Sequence, residues 1–327
     1  MEPIAADLLD WYDRHRRILP WREEPTVYRV WISEVMLQQT RVDTVLPYFE
    51  RFMQRFPTVD VLARAPLDDV LKQWSGLGYY SRARNLHKTA KMVSERGEFP
   101  SDLKGLRELC GVGEYMAGAI GSIALGLGVA TVDGNIARVM ARLHQDGGNR
   151  KAMWAHAERL VPQGRAGDHN QALMDLGARI CTPRSPSCSG CPISEHCRAF
   201  SEGEPDRYPL PKTKRPSPIM SLRACCYHKE DKVWMAQRGP DGLWAGLWEF
   251  PEFTDDGSGE KIFEIKHILS HRRVEFELWL SGESPPIEAA QYSRYRWIPL
   301  GEIQGLGISA LTRKALGAVQ SAVVMEP

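Results

Sequence analysis

Cys181-Thr-Pro-Arg-Ser-Pro-Ser-Cys188-Ser-Gly-Cys191-Pro-Ile-Ser-Glu-His-Cys197 sets four cysteines in one short loop, with six, two and five residues between successive thiols. The other three cysteines, Cys110, Cys225 and Cys226, lie apart from it. An odd total of seven, in a chain expected to stay in a reducing compartment, argues against a disulfide framework. Four thiolates on one loop suit either a tetrahedral zinc or a cubane iron–sulfur cluster, and the spacing fits both.

The loop is also the seam of the fold. Upstream, from Trp11 to Cys197, the hydrophobic period is helical almost throughout: Val42, Val45, Leu46, Phe49, Met53 and Phe56 recur at spacings of three and four. Ile136, Val139, Met140 and Leu143 form a second stripe, with Arg138 and Arg142 turned away from it. Pro57 should stop the first helix and the Gly147-Gly148 pair the second. Downstream, Tyr208-Pro-Leu-Pro-Lys-Thr-Lys-Arg-Pro-Ser-Pro218 reads as a tether, after which the period changes. Leu222–Tyr227, Lys232–Arg238, Leu247–Phe253, Lys261–Ile268 and Val274–Leu280 read as strands, and Ser309–Val319 as a closing helix. The expected organisation is mostly α: a helical domain over 1–207 that includes the cysteine loop 181–197, a linker over 208–218, and a small α+β domain over 219–327.

At 327 residues, 43% hydrophobic and 25% charged, the chain is long enough for two ordinary globular cores. No apolar run is long enough to span a bilayer, and the acidic start lacks the grammar of a signal peptide, so a cytoplasmic protein is expected. A net charge of only +1 gives weak steering, so any nucleic-acid binding must come from locally placed Lys and Arg.

Three further segments carry chemistry. In Leu109-Cys-Gly-Val-Gly-Glu-Tyr115, Gly111 and Gly113 permit a positive φ and leave N–H groups open at the start of a helix, where a phosphate fits. In Thr131-Val-Asp-Gly-Asn135, Asp133 stands at a helix N-cap position, and ordinary capping explains it as well as chemistry does. In Val30-Trp-Ile-Ser-Glu-Val-Met-Leu-Gln-Gln-Thr40, Glu34 sits within an apolar helix, where burial would keep it protonated as a general acid requires. Leu37–Thr40 suits a wedge into a base stack. Gly76-Leu-Gly-Tyr-Tyr-Ser-Arg-Ala-Arg84 offers a second such loop, with Arg82 and Arg84 for phosphates. Its Tyr79 and Tyr80 fit a core equally well.

The order of these motifs, with Leu19-Pro-Trp-Arg22 before them, resembles the helix-hairpin-helix DNA glycosylases that carry an iron–sulfur cluster, and among them the mismatch adenine glycosylases. The resemblance covers nearly the whole chain. It implies a [4Fe–4S] cluster on Cys181, Cys188, Cys191 and Cys197, Glu34 as acid and Asp133 as the essential carboxylate. It also implies Gln39 at the lesion, with Arg22, Tyr79, Tyr115 and Asn135 in supporting contacts. Relatives that also nick the backbone carry a lysine two residues after the second hairpin glycine; Tyr115 stands there, so base removal without strand cleavage is expected. The implied partner is double-stranded DNA with adenine opposite 8-oxoguanine or guanine, bound by a monomer. The chemistry is two-carboxylate glycoside hydrolysis applied to an N-glycosidic bond, with the adenine flipped out of the helix.

Leu243-Trp-Ala-Gly-Leu-Trp-Glu-Phe-Pro251 resembles the Nudix-like domain that in this family inspects the opposite base. The stretch between Phe253 and Lys261 is too short for the glutamate-bearing helix of a Nudix hydrolase, so pyrophosphate hydrolysis is not expected. The family's Phe-Ser-His signature for the oxidised base stands here as Leu269-Ser270-His271, keeping the hydrogen-bonding pair without the aromatic.

Overall fold

The computed structural model describes residues 2–211, 216–252, 259–269, 272–281 and 289–323. It divides into two compact units that do not follow chain order: 1–60 with 88–213, and 61–87 with 214–327.

The first unit is helical. Val27–Leu37 is an interior helix, capped by the Thr26 side chain and buried at Tyr28 and from Val30 through Met36. Val42–Arg55 is amphipathic, with Val45, Phe49 and Phe52 buried as its period requires. Glu114–Ala124, Gly134–His144 and Ala166–Arg179 pack together with Pro3–His15. Their core joins Leu8, Trp11 and Tyr12 to Ile136, Val139, Met140 and Leu143, and to Leu173 and Leu176. The Gly134–His144 helix stops earlier than its glycine pair suggested, because Gln145 turns left-handed at φ 52° and closes the helix there.

The second unit is built on a six-stranded sheet: β1 Ile219–Lys229, β2 Lys232–Arg238, β3 Trp248–Glu249, β4 Glu260–Ile268, β5 Arg273–Ser281 and β6 Tyr292–Pro299. The order is β3-β2-β1-β5-β4, with β6 pairing β2. β1 and β5 run parallel, from Ile219 opposite Arg273 to Tyr227 opposite Ser281; the other ladders are antiparallel. The helix Ala310–Val323 lays Leu311, Ala315, Leu316 and Val319 on this sheet. β6 was not expected from sequence, and the expected strand at Leu247–Phe253 is reduced to two residues, beside Pro251 with its missing N–H.

Residues 61–87 belong with the sheet. Tyr80 is buried and donates its hydroxyl to the Ile308 carbonyl at 2.7 Å, whereas Tyr79 is 42% exposed, so the two tyrosines divide between core and surface. Arg82 and Arg84 are not aimed at phosphates. Arg82 is buried, donating to the carbonyls of Leu77 and Gly78, and Arg84 donates to the Ala245 carbonyl at 2.7 Å.

Candidate active site

A cavity of about 680 Å³ opens in the first unit, lined by Arg22, Glu34, Gln39, Tyr115, Asp133 and Asn135 among others. Six residues picked from sequence therefore meet in one place. They arrive from four local structures, with Arg22 on the short helix Pro20–Glu23. Glu34 projects from the interior helix, and Gln39 stands just past its end with a left-handed φ of 56°. Tyr115 opens the helix Glu114–Ala124, and Asp133 caps Gly134–His144.

Glu34 is 5% exposed. Burial pushes its carboxyl up to about 7, and the neighbouring Asp133 adds to that; the Tyr115 hydroxyl and the Arg22 charge oppose it. The Tyr115 hydroxyl donates to Glu34 Oε2 at 2.5 Å. Burial and the charge of Glu34 together hold the Tyr115 phenol well above its ordinary range, so it stays a donor.

Asp133 does cap its helix: Oδ1 accepts the Ile136 N–H at 2.7 Å, and Oδ2 accepts from Asn135 Nδ2 at 3.1 Å. Burial raises its pKa while those donors favour the ionised form. Capping and cavity lining are thus one geometry, because the cap fixes the carboxylate at the cavity wall. Asn135 is held in turn by Arg138, whose Nη2 donates to Asn135 Oδ1 at 3.0 Å and to the Gly177 carbonyl at 2.7 Å.

The hairpin glycines differ from expectation. Gly111 has φ 80° and needs its freedom, but Gly113 is extended at φ −88°. No side chain caps the helix that follows Gly113, and a Cβ at Gly113 would meet nothing within 4 Å, leaving the first N–H groups open to an anion. Tyr79 belongs to the other unit, where with Trp244 and Leu269 it lines a separate cavity of about 550 Å³. Ser270 and His271 lie outside the described residues.

Sequence reasoning missed several lining residues: Arg17, Trp21, Arg138, Gln171 and Met174, with the buried Asp175 behind Arg17 and Arg22. The available signal was Asn170 and Asp175 on the face of the Ala166–Arg179 helix that also carries Leu173 and Leu176, where polar residues at core spacing mark buried, partnered groups.

The cysteine loop lies on the same unit. Cys181, Cys188, Cys191 and Cys197 are half-buried and form no disulfide. Burial raises the Cys191 thiol to about 11, and the neighbouring Cys181, Cys197 and Cys188 add to that. Among the described residues no three ligating side chains converge as a single metal ion requires. Four neighbouring thiols without that single-ion convergence suit a cubane, with one thiolate per iron, better than a tetrahedral zinc. Arg142 is 2% exposed and grips the loop, donating to Cys181 Sγ at 3.3 Å and to the Thr182 carbonyl at 2.7 Å.

Residues 32–163 match the HhH-GPD superfamily of base excision DNA repair proteins, 181–197 the iron–sulfur binding domain of endonuclease III, and 223–318 the NUDIX domain. Over 288 residues the chain is 38% identical to the adenine DNA glycosylase of Buchnera aphidicola subsp. Schizaphis graminum (strain Sg), covering 81% of this chain and 83% of that one. It is 40% identical over 298 residues to the adenine DNA glycosylase of Arabidopsis thaliana, covering 76% of this chain but only 47% of that longer protein. The fold matches the structure of a thermostable thymine-DNA glycosylase with a TM-score of 0.57 at 31% identity, covering 61% of this chain and 95% of that one.

Proposed function

The chain belongs to the adenine DNA glycosylases of base excision repair, and we propose that its substrate is adenine mispaired with 8-oxoguanine or guanine in duplex DNA, released by hydrolysis without strand cleavage. It is a DNA N-glycosylase, its partner is DNA, and its cofactor is a [4Fe–4S] cluster. No helix of the described residues is long and apolar enough to cross a membrane. A monomer acting in the cytoplasm is the simplest form of this reading.

The observation that carries it is a buried carboxyl, Glu34, in a cavity that also holds a second carboxylate, Asp133, with burial pushing Glu34 up to about 7. Adenine leaves poorly until a ring nitrogen is protonated, and its departure leaves an oxocarbenium-like sugar. Glu34 holds the proton for the base. Its Oε2 already accepts the Tyr115 hydroxyl, so Oε1 is the oxygen left to deliver it. Asp133, whose backbone and amide donors favour the ionised form against the rise that burial causes, faces the developing positive charge. Water activated by one of these carboxylates completes the hydrolysis. Tyr115 presents a phenol already committed to Glu34 and no amine, so no Schiff base forms there.

The base reaches this cavity only by leaving the stack, with the Gly113 helix start for a backbone phosphate and Gln39 near the gap. Arg22 and Asn135 complete the polar wall. Cys181, Cys188, Cys191 and Cys197 are the proposed ligands of the cluster, which supplies the cross-link that orders their loop. In the second unit, Tyr79 is the exposed aromatic for a base step, and Ser270 and His271 are the proposed polar readers of the oxidised base. Leu269 supplies apolar bulk there in place of the family's phenylalanine.

The test is single-turnover incubation with duplexes pairing adenine with 8-oxoguanine, guanine or thymine. Free adenine should appear from the first two, with strands intact until heated in alkali. Glu34→Gln and Asp133→Asn should each abolish release while retaining duplex binding. Release from the thymine pair at an equal rate would defeat the mismatch assignment.

A further inference from the structure

One wall of the base cavity carries three charged groups that the hydrolysis above does not use. Arg22 forks onto Asp175, Nη1 to Oδ2 at 2.8 Å and Nη2 to Oδ1 at 3.0 Å. Arg17 donates to the same Oδ1 from Nε at 2.9 Å and from Nη2 at 2.5 Å. The Asp175 side chain has no exposed surface, Arg22 is 12% exposed and Arg17 28%. Both arginines line the cavity, and Asp175 lies behind them. Burial alone would push the Asp175 carboxyl up, but the two guanidinium groups hold it below the ordinary carboxylate range, so it stays charged.

The groups facing Glu34 are few. Tyr115 reaches it from the Glu114–Ala124 helix, Asp133 from the Gly134–His144 cap and Arg22 from the short Pro20–Glu23 helix. Arg41 and Asp43, at the start of Val42–Arg55, line the same cavity and offset one another in sign, and Arg138 is tied to Asn135 and the Gly177 carbonyl. On its own helix, Arg29 donates instead to the Pro20 carbonyl. Of these, only Arg22 is a cation that acts on Glu34 directly, and it favours the ionised carboxylate, the wrong state for an acid.

We propose that Asp175 is a positioning residue for base excision: its carboxylate fixes the Arg22 fork along the cavity wall and cancels the arginine charge that would otherwise face the acid Glu34. Two cations and one anion then present one net positive charge, where the arginines alone would present two. Arg22 becomes a fixed set of donors for the base rather than a bare cation. The proposal rests on the reading of Glu34 as the acid.

The experiment follows the single-turnover rate of adenine release from an adenine–8-oxoguanine duplex between about pH 5 and 9, where the alkaline limb reports the proton on the acid. Asp175→Asn should move that limb down by about one pH unit or more, in addition to any loss of rate at the acid end from the loosened Arg22 fork. Asp175→Glu should hold the wild-type limb. Arg17→Gln, a change at a partly exposed side chain that leaves the Arg22–Asp175 fork intact, should move the limb the other way, to higher pH. Visible absorption of the cluster reports whether each variant has folded, and if Asp175→Asn has not, Arg17→Gln decides alone. A limb that stays fixed while the variants only scale the rate at every pH would overturn the proposal. The reading beneath it fails differently: Glu34→Gln would then keep its activity and its limb.

Discussion

Replacing Glu34 by glutamine should make the protein more stable while destroying its activity, and the gain should depend on pH in a defined direction. Glu34 is 5% exposed, and burial is the main cause that lifts its carboxyl from 4.5 to about 7. Below the ordinary carboxylate range both folded and unfolded chains hold the proton, so the group contributes nothing to the difference. Between pH 4.5 and 7 the unfolded chain releases the proton while the folded one keeps it, so folding is progressively disfavoured as pH rises. Above pH 7 the penalty is complete, on the order of 3 kcal/mol at about 1.4 kcal/mol per unit. Glutamine keeps the shape, accepts the Tyr115 hydroxyl through its amide oxygen and never ionises. The Glu34→Gln variant should therefore melt close to wild type near pH 4.5 and roughly 6–12 °C higher near pH 8. Thermal unfolding followed by tryptophan fluorescence across that range measures the difference directly. A difference that does not grow with pH would refute the claim that the folded protein holds this carboxyl neutral at a cost in stability.

Three further outcomes follow from the same geometry. Excision by the wild type should fall about tenfold per pH unit above about pH 7, and Tyr115→Phe, which removes a donor that favours the ionised acid, should move that decline upward by roughly 1–2 units. Gly177→Ala should reduce excision by about tenfold or more with duplex binding retained, because the new Cβ would lie 2.7 Å from Asn135 Cβ and displace the partner of Asp133; equal rates in single-turnover assays would show that the cap tolerates the shift. Purified protein should contain iron and sulfide, and Cys191→Ser should lower both the iron content and the melting temperature, whereas Cys110→Ser should change neither.

Much of the helical unit is legible in the sequence because its signals are local. The apolar run around Glu34 marks an interior helix, and a carboxyl inside it has to be either satisfied or neutral. The Asp133 cap and the turn at Gly111 are set by residues within a few positions. What stays hidden depends on distant partners. Asp175 meets Arg22 across 153 residues, and a buried aspartate on a helix does not announce which arginine it holds. The helical period of Leu67–Trp74 shows that one face is buried, with Val70, Leu71 and Trp74 inward, but not that the C-terminal unit covers it. Arg82 and Arg84 look like phosphate ligands for the same reason: charge is visible in a sequence, and the carbonyls that consume it are not. β6, Tyr292-Ser-Arg-Tyr-Arg-Trp-Ile-Pro299, does alternate arginine with aromatic over Arg294–Trp297, but the run is short and ends on Pro299, and its pairing with β2 is a distant contact.

The two chemistries of the first unit meet on a single helix. Gly134–His144 begins at Asp133, and its next turns carry Arg138 and Arg142, four residues apart and so on one face. Arg142 grips the cysteine loop, and Arg138 divides its donors between the Cys181 carbonyl at 2.8 Å, the Gly177 carbonyl and Asn135. Asn135 in turn donates to Asp133. A planar fork with several fixed donors is needed to serve three acceptors at once, which an ammonium on a flexible stem does not match. The Asp133 carboxylate, proposed to face the sugar, is therefore held from two sides, by its own helix N-terminus and by a chain of hydrogen bonds that ends on the backbone of Cys181, a proposed cluster ligand. Disorder in the cysteine loop would reach Asp133 through Arg138 without any cysteine touching the base cavity.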